Sequence, residues 1–201
     1  MSIRTIRRIG AGLLATALAA GLVACGSDPL AEQYLEGSNK GFIAGDSRVL
    51  ETAPADRGEP IVFDGTTETG ATVTSADYAG QVVVVNFWYA ACGPCRAEAP
   101  DLAAAVAEFA GQDVAFLGVN IYDQPETAAS FMTTYGLDYP TLIAVDDGDL
   151  TLAFADAVPL TAVPVTLVLD AEGRVASRII GQLPEASILE TLVRDTLAET
   201  S

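Results

Sequence analysis

Between Gln81 and Trp88 the chain reads QVVVVNFW, a β-branched and aromatic run interrupted only by Asn86. A run of this kind predicts a strand buried on both faces of a mainly parallel sheet. Ahead of it, IVFDGTTETGATVT predicts two short strands, 61–63 and 71–74, joined by a turn, with Ser75 as N-cap of a helical turn in SADYAG. Behind it, RAEAPDLAAAVAEFAG predicts a helix as far as Gly111, and 113–120 a further strand. Asp123, with Glu126 three residues on, predicts a capped helix that runs to Tyr135 and stops at Gly136. A strand is expected over 140–145 and a short helix over 151–155. Residues 165–170 and 174–180, on either side of Ala171-Glu172-Gly173, predict a hairpin. Ile188, Leu189, Leu192, Val193 and Leu197 recur at helical spacing within 184–198. The expected order is ββ, then βαβαβ, then ββα, which is an α/β domain.

The first 58 residues follow another pattern. Arg4, Arg7 and Arg8 precede an apolar stretch from Ile9 to Ala24, of signal-peptide length and short for a membrane span of about 20 residues. It ends in Leu22-Val23-Ala24-Cys25, which resembles the bacterial lipobox, where the cysteine is diacylated and becomes the new N-terminus. The alternative is an uncleaved anchor with an incidental cysteine. Residues 26–58 are rich in Gly, Ser, Asp, Glu and Ala and show no period beyond some local order around 41–50. The expected organisation is a signal peptide over 1–24, a lipid-anchored tether over 25–58 and a domain over 59–201. A coil of this length spans on the order of 30 Å, enough to hold a domain off a membrane.

Composition narrows the chemistry. The chain of 201 residues contains no histidine, which excludes Ser-His-Asp hydrolysis and histidine-ligated metals or haem. The net charge of −17 speaks against nucleic acid as a partner. It serves solubility or favours cationic partners.

Candidate chemistry lies in FWYAACGPCRAEAP, residues 87–100. With Cys25 acylated, Cys92 and Cys95 can pair only with each other or with a partner's sulfur. A C-x-x-C between a buried strand and a helix puts the first cysteine at the helix N-terminus. There, unpaired N–H groups and the helix dipole favour a thiolate, the reactive form. Pro94 suits the first helical turn, and Gly93 admits a close approach by a partner chain. Zinc would need a dimeric four-cysteine site, because two cysteines and no histidine fall short of four ligands. A purely structural disulfide would close a very small loop and constrain little chain entropy. A peroxiredoxin would carry threonine where Tyr89 stands.

Strand–CGPC–helix, with Trp88 before Cys92 and Pro100 after Cys95, resembles thioredoxin. VVVNFWYAACGPCRAEAP, preceded by a hairpin and a lipoprotein signal, resembles more specifically the membrane-tethered TlpA/ResA thiol–disulfide oxidoreductases. The resemblance implies a thioredoxin-like fold: a central mixed sheet flanked by helices, with an N-terminal β-hairpin extension. It implies catalysis by Cys92 and Cys95 with no further cofactor, and a cis-proline at Pro164 positioning a partner's backbone. It also implies an acid at Glu98 that exchanges a proton with Cys95; a solvent-facing helix glutamate is the alternative. Asn86 stands where thioredoxin has a buried aspartate, which favours Glu98 as its substitute. Trp88, Gly93, Pro94 and Val163 are the expected substrate-binding residues. Ala91 replaces the tryptophan usual in thioredoxins, leaving a less aromatic face at the nucleophile. The implied protein is a monomer on the outer face of the cytoplasmic membrane. It reduces disulfides of exported proteins such as apocytochrome c, and a membrane donor of CcdA/DsbD type recharges it. The opposite direction, oxidation of exported proteins, is the first rival. A tethered thioredoxin-fold binding module is the second.

Overall fold

The computed structural model describes residues 49–158 and 163–199. Eight strands and four α-helices occur among them: β1 (Val49–Glu51), β2 (Asp64–Thr66), β3 (Thr72–Thr74), β4 (Val82–Trp88), α1 (Gly93–Glu108), β5 (Val114–Asn120), α2 (Pro125–Tyr135), β6 (Thr141–Ile143), α3 (Gly148–Ala153), β7 (Val165–Leu169), β8 (Val175–Ile180) and α4 (Ala186–Ala198). Six strands form one mixed sheet in the order β1-β8-β7-β4-β5-β6, and β2 and β3 form a separate hairpin. This is the expected thioredoxin-like architecture, flanking helices and hairpin included.

The all-buried run in β4 is explained by its place at the centre of the sheet. It pairs parallel with β5 and antiparallel with β7. Successive side chains of a strand face opposite ways. Val82, Val84 and Trp88 therefore pack with Leu102 of α1, Phe131 of α2 and Leu189 of α4. Val83, Val85 and Phe87 pack on the other face with Phe63, Leu150 and Phe154. Each such side chain contributes about 1.5–3 kcal/mol by leaving water. The alternation also places Asn86 on the α1 face, amid apolar neighbours.

Three local expectations shift. The hairpin strands begin later than 61–63, because the Ile61 N–H bonds to the Gly173 carbonyl across the β7–β8 turn instead of to a hairpin partner. The cap of the 3₁₀ turn Ser75–Tyr78 is Thr74, whose N–H and hydroxyl both donate to Asp77. Helix α2 starts from Gln124, not Asp123, whose carboxylate is used elsewhere; Gly136 ends it in the left-handed region at φ 65°. The hairpin covers the β6 edge, with Glu68 accepting the Thr141 N–H at 2.8 Å.

The domain also begins earlier than residue 59. Val49 to Glu51 pair antiparallel with Ile179 to Ser177. Arg57 is bound there too, to Asp170 at 3.0 Å and Glu199 at 2.6 Å. A strand of three residues carries no readable period, which is why 49–58 resembles coil in the sequence. The expected signal peptide and Cys25 lie outside the described residues.

Candidate active site

Strand β4 delivers its carboxyl end to a short loop, and the loop delivers Cys92 to the start of α1. Cys92 is the N-cap, and its sulfur accepts the Cys95 N–H at 3.1 Å. A disulfide joins Cys92 to Cys95. The capping bond sets Cys92 apart from Cys95 on physical grounds. Once the disulfide is reduced, an N–H and the positive end of a sixteen-residue helix bear on the Cys92 sulfur and favour its thiolate. Both cysteines are buried, while Ala91, Gly93 and Pro94 around them are exposed. The surface over the sulfurs is made in part by these three residues.

One turn below Cys95, on the same face of α1, lies Glu98. It is fully buried, which excludes the solvent-facing alternative. One carboxyl oxygen accepts from Asn86 Nδ2 at 2.9 Å and the other from the Leu183 N–H at 2.7 Å. The second amide hydrogen of Asn86 goes to Thr166 Oγ1 at 3.1 Å. Burial pushes the Glu98 carboxyl up to about 7; the Leu183 and Asn86 hydrogen bonds oppose the rise, and the Asp101 charge adds to it. Both fixed partners are donors. A proton on Glu98 therefore finds no acceptor in either of them.

The cysteine loop is tied to the neighbouring strand by a latch that the sequence did not disclose. Asn120, at the end of β5, is fully buried. Its Oδ1 accepts the N–H groups of Tyr122 and Asp123, at 3.1 and 2.7 Å. Its Nδ2 donates to Asp123 Oδ2 at 2.8 Å, and the same oxygen accepts the Ala90 N–H at 2.6 Å. Tyr89 packs edge-on against Tyr122 with ring centroids 5.0 Å apart. The N-x-x-D spacing of Asn120 and Asp123 is the one signal that could have disclosed it.

The remaining expected residues are distributed as follows. The Val163–Pro164 peptide is cis, Pro164 is buried and Val163 half-buried against the cluster that holds the cysteines. Trp88 departs from expectation. It is only 2% exposed and stacks on Phe131 at 4.2 Å, so it supports the site from beneath and offers no surface to a substrate. An indole at the end of a strand buried on both faces has no route outward. Among the described residues no group of three or more Cys, Asp or Glu side chains could hold a metal ion, and no helix is long and apolar enough to cross a membrane.

The profile of the family described as Redoxin matches residues 49–193. The chain is 34% identical over 141 residues to the thiol:disulfide interchange protein HelX of Rhodobacter capsulatus, covering 70% of this chain and 72% of HelX. It is 29% identical over 132 residues to the thiol-disulfide oxidoreductase ResA of Bacillus subtilis, covering 66% of this chain and 71% of ResA. A secreted thiol-disulfide isomerase from Corynebacterium glutamicum superposes with a TM-score of 0.65 at 31% identity, covering 76% of this chain and 96% of that one.

Proposed function

The chain belongs to the Redoxin family and is a thiol–disulfide oxidoreductase, and from that premise we propose that it works as a reductase of disulfides in exported proteins. Apocytochrome c is the substrate that its TlpA/ResA-like motif favours. The tether from Cys25 holds a monomeric domain at the outer face of the cytoplasmic membrane, and a dithiol donor of CcdA/DsbD type in that membrane recharges it.

Cys92 thiolate attacks a sulfur of the substrate disulfide. A Cys92–substrate bond forms, the substrate S–S bond breaks, and the departing sulfur takes up a proton. Cys95 then loses its proton to Glu98 and attacks the Cys92 sulfur. The mixed disulfide breaks, the second substrate sulfur leaves as a thiol, and the Cys92–Cys95 disulfide remains. Two electrons pass from the enzyme dithiol to the substrate. Val163, Gly93 and Pro94 form the surface against which the substrate backbone is held, and the buried cis-proline Pro164 sets the course of the chain at Val163.

The observation that carries this reading is a C-x-x-C disulfide at a helix N-terminus with a buried carboxyl one turn below it. A carboxyl there disfavours a neighbouring thiolate. Strong oxidants of this fold owe their potential to a stabilised reduced form, so the effect of Glu98 points towards a reductant. Equilibration with glutathione buffers tests the direction. A potential near that of thioredoxin, about −270 mV, is expected, and one near that of DsbA, about −120 mV, would make the protein an oxidase. Cys95→Ser should accumulate mixed disulfides and Cys92→Ser should not; equal trapping by the two would reverse the assigned roles. Mass spectrometry of the mature N-terminus checks the anchor: Cys25 without a diacylglycerol group would remove it.

A further inference from the structure

Tyr122 is 65% exposed, and it is held in place with unusual thoroughness for a surface side chain. Its N–H is bound by the buried Asn120, and its neighbour Asp123 is latched to Ala90 in the cysteine loop. Its ring is braced edge-on by Tyr89, whose carbonyl accepts the Cys92 N–H at 3.1 Å. The other large exposed apolar side chains among the described residues, Leu50, Val62 and Leu152, lie on β1, before the hairpin and on α3. Tyr122 alone of these is fastened to the loop that carries the nucleophile.

The stretch of chain that carries it holds charge of one sign. Between Arg96 and Arg174 the chain contains no basic residue. Glu126, in the first turn of α2, is exposed, and its carboxylate has no partner among the described residues. A groove of about 360 Å³ begins at Ala90 and runs along α2 past Glu126, Ser130, Phe131 and Tyr135. An aromatic face attracts a cation, most strongly where a carboxylate stands nearby. A neutral or acidic side chain gains neither interaction.

We propose that Tyr122, braced by Tyr89 and accompanied by Glu126, seats a basic side chain of the substrate segment that flanks its disulfide. The seat selects cationic segments and lays them along α2 with the disulfide over Cys92. This rests on the redox function proposed above and adds the class of substrate to it.

The test is the single-turnover rate of the reduced protein on two synthetic disulfide peptides and on hydroxyethyl disulfide. The peptides differ only in bearing arginine or glutamate beside the first cysteine. The wild type should favour the arginine peptide by roughly tenfold, and the preference should shrink as salt is raised. Tyr122→Ala should lower the arginine-peptide rate about fivefold more than the hydroxyethyl disulfide rate, and Tyr122→Phe, which keeps the ring, should restore it. Leu152→Ala, an exposed apolar truncation on α3, should leave all three rates as in the wild type. An arginine-to-glutamate ratio unchanged in Tyr122→Ala would overturn the proposal, as would equal losses on both peptides. A wild type inert towards hydroxyethyl disulfide would instead remove the redox reading on which it rests.

Discussion

Two carboxyl groups are buried at opposite ends of the central strands and titrate in opposite directions. Asp170 follows β7 beside the start of β4, and Glu98 lies on α1 beneath the end of β4. For Asp170, burial alone would raise the carboxyl, but the Arg174 N–H and the guanidiniums of Arg57 and Arg174 hold it below the ordinary range. Glu98 is just as inaccessible, yet it faces amide donors and the like charge of Asp101, and it rises to about 7. The compensated carboxylate joins the segment before the hairpin and the C-terminal helix to the sheet. The other faces no cation and costs stability when ionised, although it ties α1 to β4 and to the loop before α4. A shifted carboxyl on the helix that carries the described disulfide is the ground on which proton chemistry is proposed for Glu98.

The sharpest way to break this contrast is to remove the compensated end. Asp170→Ala leaves Arg57 buried, with its side chain 3% exposed and Glu199 its remaining carboxylate. Loss of one member of a buried pair should lower unfolding stability by about 3–5 kcal/mol, read from urea denaturation at pH 7. The depressed Asp170 carboxyl contributes stability that is present at neutral pH and lost on acidification, so this difference should narrow as pH falls. The rate of disulfide exchange should match that of the wild type. A variant that folds but exchanges slowly would show that the two ends are coupled and not separate.

Glu98→Gln addresses the other end. Between its unfolded value near 4.5 and its folded value of about 7, the native carboxyl binds more protons than the unfolded one. Stability therefore falls as pH rises through this window, in total by roughly 3 kcal/mol. The glutamine variant should be flat across it. Thiol alkylation of the reduced variant should lose its inflection near neutrality, and resolution of the mixed disulfide should slow. Unchanged pH profiles in both measurements would reduce Glu98 to a buried anchor for Leu183, with water carrying the proton.

The contrast also explains which parts of the molecule could be read from the sequence. β4 and the helix after the cysteines were legible because the β-branched run QVVVVNFW and the long alanine-rich run each span enough residues to declare a strand and a helix. The C-x-x-C was legible because its chemistry lies within four residues. β1 was not, since Val49–Glu51 gains its strand character from β8, more than 120 residues away. Trp88 was misplaced because its motif position suggests a surface, whereas its burial follows from strands on either side of β4. Glu98 was found through the family resemblance, which implies an acid three residues after Cys95. Its clamp escaped notice because Asn86, Thr166 and Leu183 converge from β4, β7 and the loop before α4. The latch from Asn120 to Ala90 was hidden for the same reason, and Asp123 in sequence looks like a helix cap.

The smallest expected effect tests the clamp itself. Asn86 donates one amide hydrogen to Glu98 and the other to Thr166, so Thr166 fixes the amide that fixes the carboxyl. Thr166→Val keeps the shape and removes the acceptor. The stranded N–H should cost about 1–2 kcal/mol, within the range for an unsatisfied buried donor. The Asn86 bond favours the charged form of Glu98, so a loosened amide should let its proton affinity rise further. The pH window of falling stability should then extend upward beyond that of the wild type, and exchange at neutral pH should slow less than in Glu98→Gln. Thr166→Ser, which retains the hydroxyl, should restore both properties. If the valine variant loses stability while its pH window stays in place, the Thr166 hydroxyl serves only to satisfy the Asn86 amide, and Asn86 holds the carboxyl without it.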